Sequence, residues 1–343
     1  MGNAKNGRAP RVQAPEVSKP VVGIDLGGTN MQIGVVAPGV IAERDVPALL
    51  GRAKRKTKSE SGAESVLDRI AEGVREACAD AKLELADVDA VGIGAPGGVD
   101  PESGIVHEAV NLRWDNYPLA KELSGRLDGA RVVIDNDVNV AVWGENRVGA
   151  GRHADEMLGV WLGTGIGGGL ILRGELYYGH FQTAGEIGHM HLFPQQQPGS
   201  RSLEHNCSRT AIANRIAHLI RSNRKSVVSE LTEGDLDKIK SKVIAKAWEM
   251  NDELTREVVE SAIELLGDHI AGVVTLLSLE RVILGGGLTE AMGQPFVDRL
   301  AGVVRARAFP RVCSNVDIVA SSLLDDAGVY GAAMLAALRI TRP

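Results

Sequence analysis

The sequence is short of several things, and each shortage excludes a class of protein. It has three cysteines in 343 residues. Cys78, Cys207 and Cys313 lie far apart and are odd in number, which argues against a disulfide framework and fits a reducing compartment. Its apolar runs fall well short of a membrane span. Residues 1–18 are polar and carry Pro10 and Pro15 where a signal peptide would have an apolar core, so a disordered leader and a cytoplasmic location are expected, with no membrane partner. It has no surplus of positive charge: 38 Lys and Arg stand against 44 Asp and Glu, a formal net charge of -6, so the overall balance does not draw the chain to nucleic acid. It has no GxxxxGK[ST], which removes the P-loop NTPases. What remains is an ordinary soluble composition, 44% hydrophobic and 24% charged, in a chain long enough for two domains.

The stretch that organises the rest is VVGIDLGGTNMQIGVV, residues 21–36. Two β-branched runs flank a turn in which Gly27 and Gly28 permit a close backbone approach, and Thr29 and Asn30 add a hydroxyl and an amide. Asp25 ends the first run, where a carboxylate could face a hydrated cation. A glycine-rich hairpin without a ligand is the plain alternative. The design recurs at residues 159–172, GVWLGTGIGGGLIL, with Gly163, Thr164, Gly165 and Gly167 in the turn and just after it. Two such hairpins far apart suggest two similar half-domains facing a shared ligand. Gly163, Gly165 and Gly168 match GxGxxG, as do Gly92, Gly94 and Gly97, but no helical pattern directly succeeds either, so a dinucleotide fold is not indicated.

Between and after the hairpins the periodicity alternates. Val66, Leu67, Ile70, Val74 and Ala77 recur at helical spacing, and residues 88–94 and 131–134 read as strands. The basic cluster at residues 52–58 reads as a solvated loop, with a localisation or nucleic-acid patch as the sharper alternative. Trp114 is either a sugar platform or a core plug. DNDVN at residues 135–139 places two carboxylates and two amides at a strand end before a helix, more polar groups than an N-cap needs, and supplies the candidate catalytic base. Past residue 206 the chain is mostly helical, with a strand at 282–284 running into Gly285, Gly286 and Gly287, where backbone could approach a flat ring or phosphate. The last helix carries Gly331, Ala332 and Ala333, small enough to lie close against a neighbour.

Taken together, DLGGTN at 25–30, GAPGGVD at 94–100, NLRW at 111–114, DNDVN at 135–139, LGTGIGGG at 162–169, GEIGH at 185–189 and LGGGL at 284–288 resemble the ROK family of sugar kinases, repressors and open-reading-frame products. The resemblance runs from about Lys19 to the C-terminus. It implies an α/β fold of two actin-like (ribonuclease H-like) domains, mixed sheets flanked by helices around a central cleft. The expected division is a leader at 1–18, a small domain at 19–134 completed by the helix 327–343, and a larger domain at 135–326. It implies ATP and Mg²⁺, with both glycine hairpins on the β- and γ-phosphates and the 285–287 turn against the adenosine. It makes Asp137 the base that takes a proton from a sugar hydroxyl, with Asn136 beside it as a sugar contact, and makes Asn111, Glu186 and His189 contacts of the sugar. NLRW is similar to the glucose-phosphorylating branch. The residues do not state an oligomer; a homodimer is the family's habit.

Two departures stand out. The family's zinc motif CGCGxxGCxE aligns with residues 200–209, where Ser200 and Ser202 occupy two cysteine positions and only Cys207 survives. A serine hydroxyl is no thiolate, so zinc is not expected, although His189, His191, His205 and Cys207 could compose a substitute set. Arg209 stands where the family has a sugar-contacting glutamate, exchanging an acceptor for a donor-only cation, and Glu204 could compensate. The expectation is therefore an ATP-dependent hexose kinase, most simply for glucose. A kinase for another hexose or an N-acylated sugar, a polyphosphate donor and a catalytically silent sugar sensor are the alternatives.

Overall fold

The computed structural model describes residues 18–38 and 46–341. The leader expected at 1–18 therefore lies, apart from Ser18, outside the described residues. The chain forms two compact units: one runs to Glu156 and adds Ile171–Thr183 and the segment from Asp326, and the other comprises Met157–Leu170 and Ala184–Asp325. No helix of the described residues is long and apolar enough to cross a membrane.

In the first unit, β1 (Val21–Leu26) and β2 (Asn30–Val36) form the expected hairpin, and β3 (Leu49–Lys56) pairs antiparallel with β2. After α1 (Ala63–Asp80), β4 (Ala90–Ala95) lies parallel to β1. The strands β5 (Gly98–Asp100), β6 (Ile105–Ala109) and β7 (Trp114–Tyr117) make a small antiparallel sheet. After α2 (Leu119–Arg126), β8 (Val132–Asn136) lies parallel to β4 and leads directly into α3 (Asp137–Val148), closing a sheet of order β3-β2-β1-β4-β8. The five α1 residues picked out by periodicity are all buried, against Ile24, Ile33 and Val35 among others. Trp114 is 4% exposed with its ring stacked on Tyr117 at 5.0 Å, a core plug and not an open platform.

One expectation is corrected here. Residues 52–56 of the basic cluster are strand, not loop: β3 is the sheet's edge strand, with Arg52, Lys54 and Lys56 exposed and Gly51 and Ala53 buried. Lysine is depleted in strands generally but marks edges, where its charge discourages pairing with another chain. Arg52 holds Asp326 through two bonds of 2.7 and 2.8 Å, and Thr57 ties the strand end to the first glycine turn by donating to Gly27 O at 2.6 Å.

Gly92 has a packing role. With Gly23 and Gly34 it forms a cross-strand row, Gly34 opposite Gly23 and Gly23 beside Gly92. The C-terminal helix (Ala327–Thr341) lies in that row: a Cβ on Gly23 would overlap the Val329 carbonyl, and one on Gly92 the Ala332 carbonyl. The glycine at 92 thus leaves room for the Ala332 backbone. The same helix crosses α3 backbone to backbone, since a Cβ on Gly331 would overlap Val140 O and one on Gly144 would stand 2.5 Å from Ala327 O.

The second unit is built on β9 (Met157–Leu162) and β10 (Ile166–Leu172), neighbours on either side of the second glycine turn. The last residues of β10 pair with β11 (Glu175–Leu176), and this stretch belongs to the first unit. The helices α4 (Leu203–Cys207), α5 (Arg209–Arg221), α6 (Val228–Leu231), α7 (Ser241–Glu249) and α8 (Glu253–Leu277) come next. Asp252 caps α8 by accepting from the Thr255 backbone and hydroxyl at 2.9 and 2.7 Å. Then β12 (Arg281–Gly285), parallel to β9, runs into α9 (Gly286–Met292), and after α10 (Gln294–Arg307) β13 (Asp317–Ala320) pairs parallel with β12.

The helix crossing generates a prediction. Gly331→Val should cost about 3 kcal/mol or more, because the overlapping atom is backbone and cannot rotate away. Urea denaturation of the variant checks it, and wild-type stability would refute the packing described.

Candidate functional site

The first cluster lies at the carboxyl ends of parallel strands β1, β4 and β8. Asp25, Gly94 and Asp135 occupy one row across them. Open α/β sheets present ligands at that edge. The β1–β2 turn closes with Gly27 N–H donating to Asn30 O at 3.0 Å, and Asn111 packs on it, its Cβ 3.1 Å from where a Cβ of Gly28 would stand. The structure thus brings Asp25, Gly27, Gly28, Thr29, Asn30 and Asn111 to one edge, with Asn136 and Asp137 opening the helix there.

The four polar residues of DNDVN have separate tasks. Asn136 is the N-cap of α3: its Oδ1 accepts from Val138 and Asn139 N–H at 2.9 and 3.1 Å, while its Nδ2 donates to Gly97 O at 3.1 Å. It holds the turn with groups expected to face a sugar. Asn139 donates to Asp135 Oδ1 at 3.2 Å. Asp135 itself is 1% exposed. Its Oδ2 accepts from Tyr178 Oη at 2.7 Å and from Arg339 at 2.8 Å, and its Oδ1 also accepts from Asn136 N–H at 2.8 Å. Burial pushes the Asp135 carboxyl upward, and the Arg339 charge and the Tyr178 hydrogen bond oppose it. Arg339 additionally donates to Tyr178 Oη and Ile134 O at 2.8 and 3.0 Å. Tyr178 and Arg339 escape a reading of the sequence because they lie 43 and 204 positions from Asp135. Asp137 is the first residue of α3, and its Oδ1 accepts from the Val138 N–H at 2.9 Å.

The second cluster surrounds the β9–β10 turn. Gly163 N–H donates to Gly165 O at 2.9 Å. Glu204, on α4, accepts the Ile166 N–H through Oε2 at 2.8 Å, and a Cβ on Gly165 would collide with that carboxylate. Arg209, first residue of α5, donates its backbone N–H to Gly163 O at 3.1 Å and its guanidinium to Thr164 Oγ1 at 2.9 Å. Glu186 precedes a 3-10 turn that His189 ends, their side chains 3.9 Å apart. Burial raises the Glu186 carboxyl; His189 lowers it and Glu204 raises it, which puts these three groups in one electrostatic neighbourhood. Gly285 ends β12 beside Trp161, and Gly286, at φ 85, starts α9 against the Leu162 backbone. Residues 285–287 therefore sit next to the end of β9 and the adjoining glycine turn. Gly167 lies within β10 and not in the turn itself.

The donor set at 200–209 does not fit a zinc ion. Ser202 caps α4 and bonds His205 Nδ1 at 2.8 Å, Ser200 donates to Gln197 O at 2.9 Å, and Asn206 donates to Ser200 O and Ser202 O at 3.0 and 2.8 Å. Cys207 is buried, its thiol pushed up to about 12 by desolvation, the opposite of the thiolate a metal needs. Among the described residues no group of three or more His, Cys, Asp or Glu is gathered for a metal.

Comparison with known proteins gives consistent findings. The profile of the ROK family matches residues 21–339. The glucokinase of Thermotoga maritima is 34% identical over 328 residues, covering 93% of this chain and 98% of that one. A xylose repressor of Caldicellulosiruptor bescii is 28% identical, covering 96% of this chain and 81% of its own length. The crystal structure of a ROK family glucokinase from Streptomyces griseus, in complex with glucose and AMPPNP, superposes with a TM-score of 0.79 at 30% identity, over 92% of this chain and 99% of that one. The two-domain actin-like fold of such structures is the fold of this chain.

The Asp135 clamp carries its own prediction. Arg339→Ala leaves a buried carboxylate without its counter-charge and should cost about 3–5 kcal/mol in chemical denaturation. A loss typical of an exposed ion pair, about 1 kcal/mol or less, would contradict the clamp.

Proposed function

The chain belongs to the ROK family, and from that membership and the site geometry we propose that it is an ATP-dependent kinase of a hexose, most simply of glucose. The observation that carries the reading is the carboxyl edge of the first sheet, where Asp137 opens α3 in the same strand-end layer as the β1–β2 glycine turn. Relatives named glucokinase support it, including one crystallised with glucose and AMPPNP.

Phosphoryl transfer asks little covalent chemistry of a protein; it asks for a positioned base, anion-binding donors and the exclusion of water. Asp137 accepts the proton of the attacking sugar hydroxyl. The N–H groups and hydroxyls of the turns at Gly27, Gly28, Thr29 and Asn30 and at Gly163, Thr164 and Gly165 orient the phosphates. The sugar contacts that the family membership implies are Asn111 and Asn136 on the first unit and Glu186, His189 and Glu204 on the second, and Gly285, Gly286 and Gly287 give the adenosine a surface without side chains. Asp25, half-buried at the end of β1, is the carboxylate that would hold a Mg²⁺, an ion that usually takes only one or two protein carboxylates and would supply positive charge against the phosphates.

The test is ADP release with Mg-ATP across glucose, fructose, mannose, N-acetylmannosamine and allose. Turnover on glucose is expected, and Asp137→Asn should lower kcat by about 10²–10⁴ while nucleotide binding persists. Near-normal turnover by that variant would remove Asp137 from the mechanism. Sugar binding without turnover on any sugar would make the chain a sensor.

A further inference from the structure

Arg209 is the residue that this reading leaves without a task, and the structure assigns it one. Two contacts from the one residue fasten it to the β9–β10 turn: its N–H on Gly163 O and its guanidinium on Thr164 Oγ1. Glu204, the nearest acid of the same loop, is committed to the N–H of Ile166. Among the described residues no carboxylate pairs with Arg209. A guanidinium has five N–H donors and no acceptor, so most of its donors remain for something that accepts.

The geometry around it selects an anion. Thr164 accepts from Arg209, which leaves the Thr164 O–H as a further donor at the turn. Arg209 is also the first residue of a 13-residue helix, whose N-terminal end carries partial positive charge. A sugar hydroxyl is best held by an acceptor, whereas a planar fork of donors matches phosphate oxygens.

We propose that Arg209 is a phosphate-binding residue: its guanidinium, set by Thr164, contacts the terminal phosphates of the phosphoryl donor and does not read the sugar. The inference rests on the kinase reading above. It makes the substitution of a cation at this position a change in donor binding, not a loss of sugar recognition.

Calorimetric titration of AMPPNP and AMP into wild type, Arg209→Gln and Arg209→Lys, without sugar, tests it. Loss of a charge-assisted hydrogen bond should weaken AMPPNP binding by about tenfold or more in Arg209→Gln, with AMP affinity unchanged and Arg209→Lys intermediate. Thermal melting at the wild-type temperature shows that the variant is folded. Equal AMPPNP affinity in wild type and Arg209→Gln overturns the proposal while leaving the kinase reading intact. A raised KM for sugar at unchanged AMPPNP affinity also overturns it, by returning Arg209 to the sugar. Absence of AMPPNP binding in wild type overturns the nucleotide reading, and this inference with it.

Discussion

A buried carboxylate is the constraint on which the first unit depends. Asp135 cannot sit in the interior as an anion unless donors replace the water it loses. Its four donors come from three places in the chain: the α3 cap region, the segment after β10 and the C-terminal helix. All three must be in position for the turn to form, and Asp137, two residues on, inherits its placement from them. The glycine row of Gly34, Gly23 and Gly92 is the other half of this device. It lets the C-terminal helix sink onto β1 and β4, which brings Arg339 within reach of Asp135.

The second unit reaches order by a different route. Where the family's zinc motif would place thiolates, this chain has the Ser202 hydroxyl capping α4 and the Ser200 hydroxyl donating to Gln197 O, while the Asn206 amide bridges to the Ser200 and Ser202 carbonyls. The same loop ends in the two residues that attend the β9–β10 turn, Glu204 on Ile166 N–H and Arg209 on Thr164. Loop stability and the electrostatics of the turn are thereby linked, because α4 and α5 are separated only by Ser208, whose hydroxyl caps α5. A shift in either helix would move a charge relative to a turn built from backbone donors.

Much of this is legible in the chain before any fold is known. The β1–β2 hairpin, the β9–β10 hairpin, α1 and α8 derive from local pattern: β-branched runs around glycine, and apolar residues at helical spacing. The closeness implied by Gly331 and its neighbours is also readable, since small residues in a helix interior leave room for a neighbouring backbone. β3 is misread from composition because its lysines disfavour a strand, and only its place at the sheet edge makes them suitable. Gly92 shares a spacing with ligand-binding turns, yet it is needed for a helix that arrives more than two hundred residues later. The resemblance implies Asn136 as a sugar contact, while its place as the N-cap of α3 becomes visible only with its hydrogen-bond partners.

The sequence by itself determined the elements, the two glycine turns, the class of ligand such turns suit and the absence of a thiolate set, because each depends on residues within a few positions of one another. The tertiary structure alone decided which polar residue of DNDVN is buried in a clamp, which caps a helix and which opens it. It also decided that Glu204 and Arg209 both turn toward one loop. Those outcomes depend on partners tens to hundreds of positions distant, and whether a polar group is satisfied or left for a ligand depends on which of those partners the fold brings within hydrogen-bond distance.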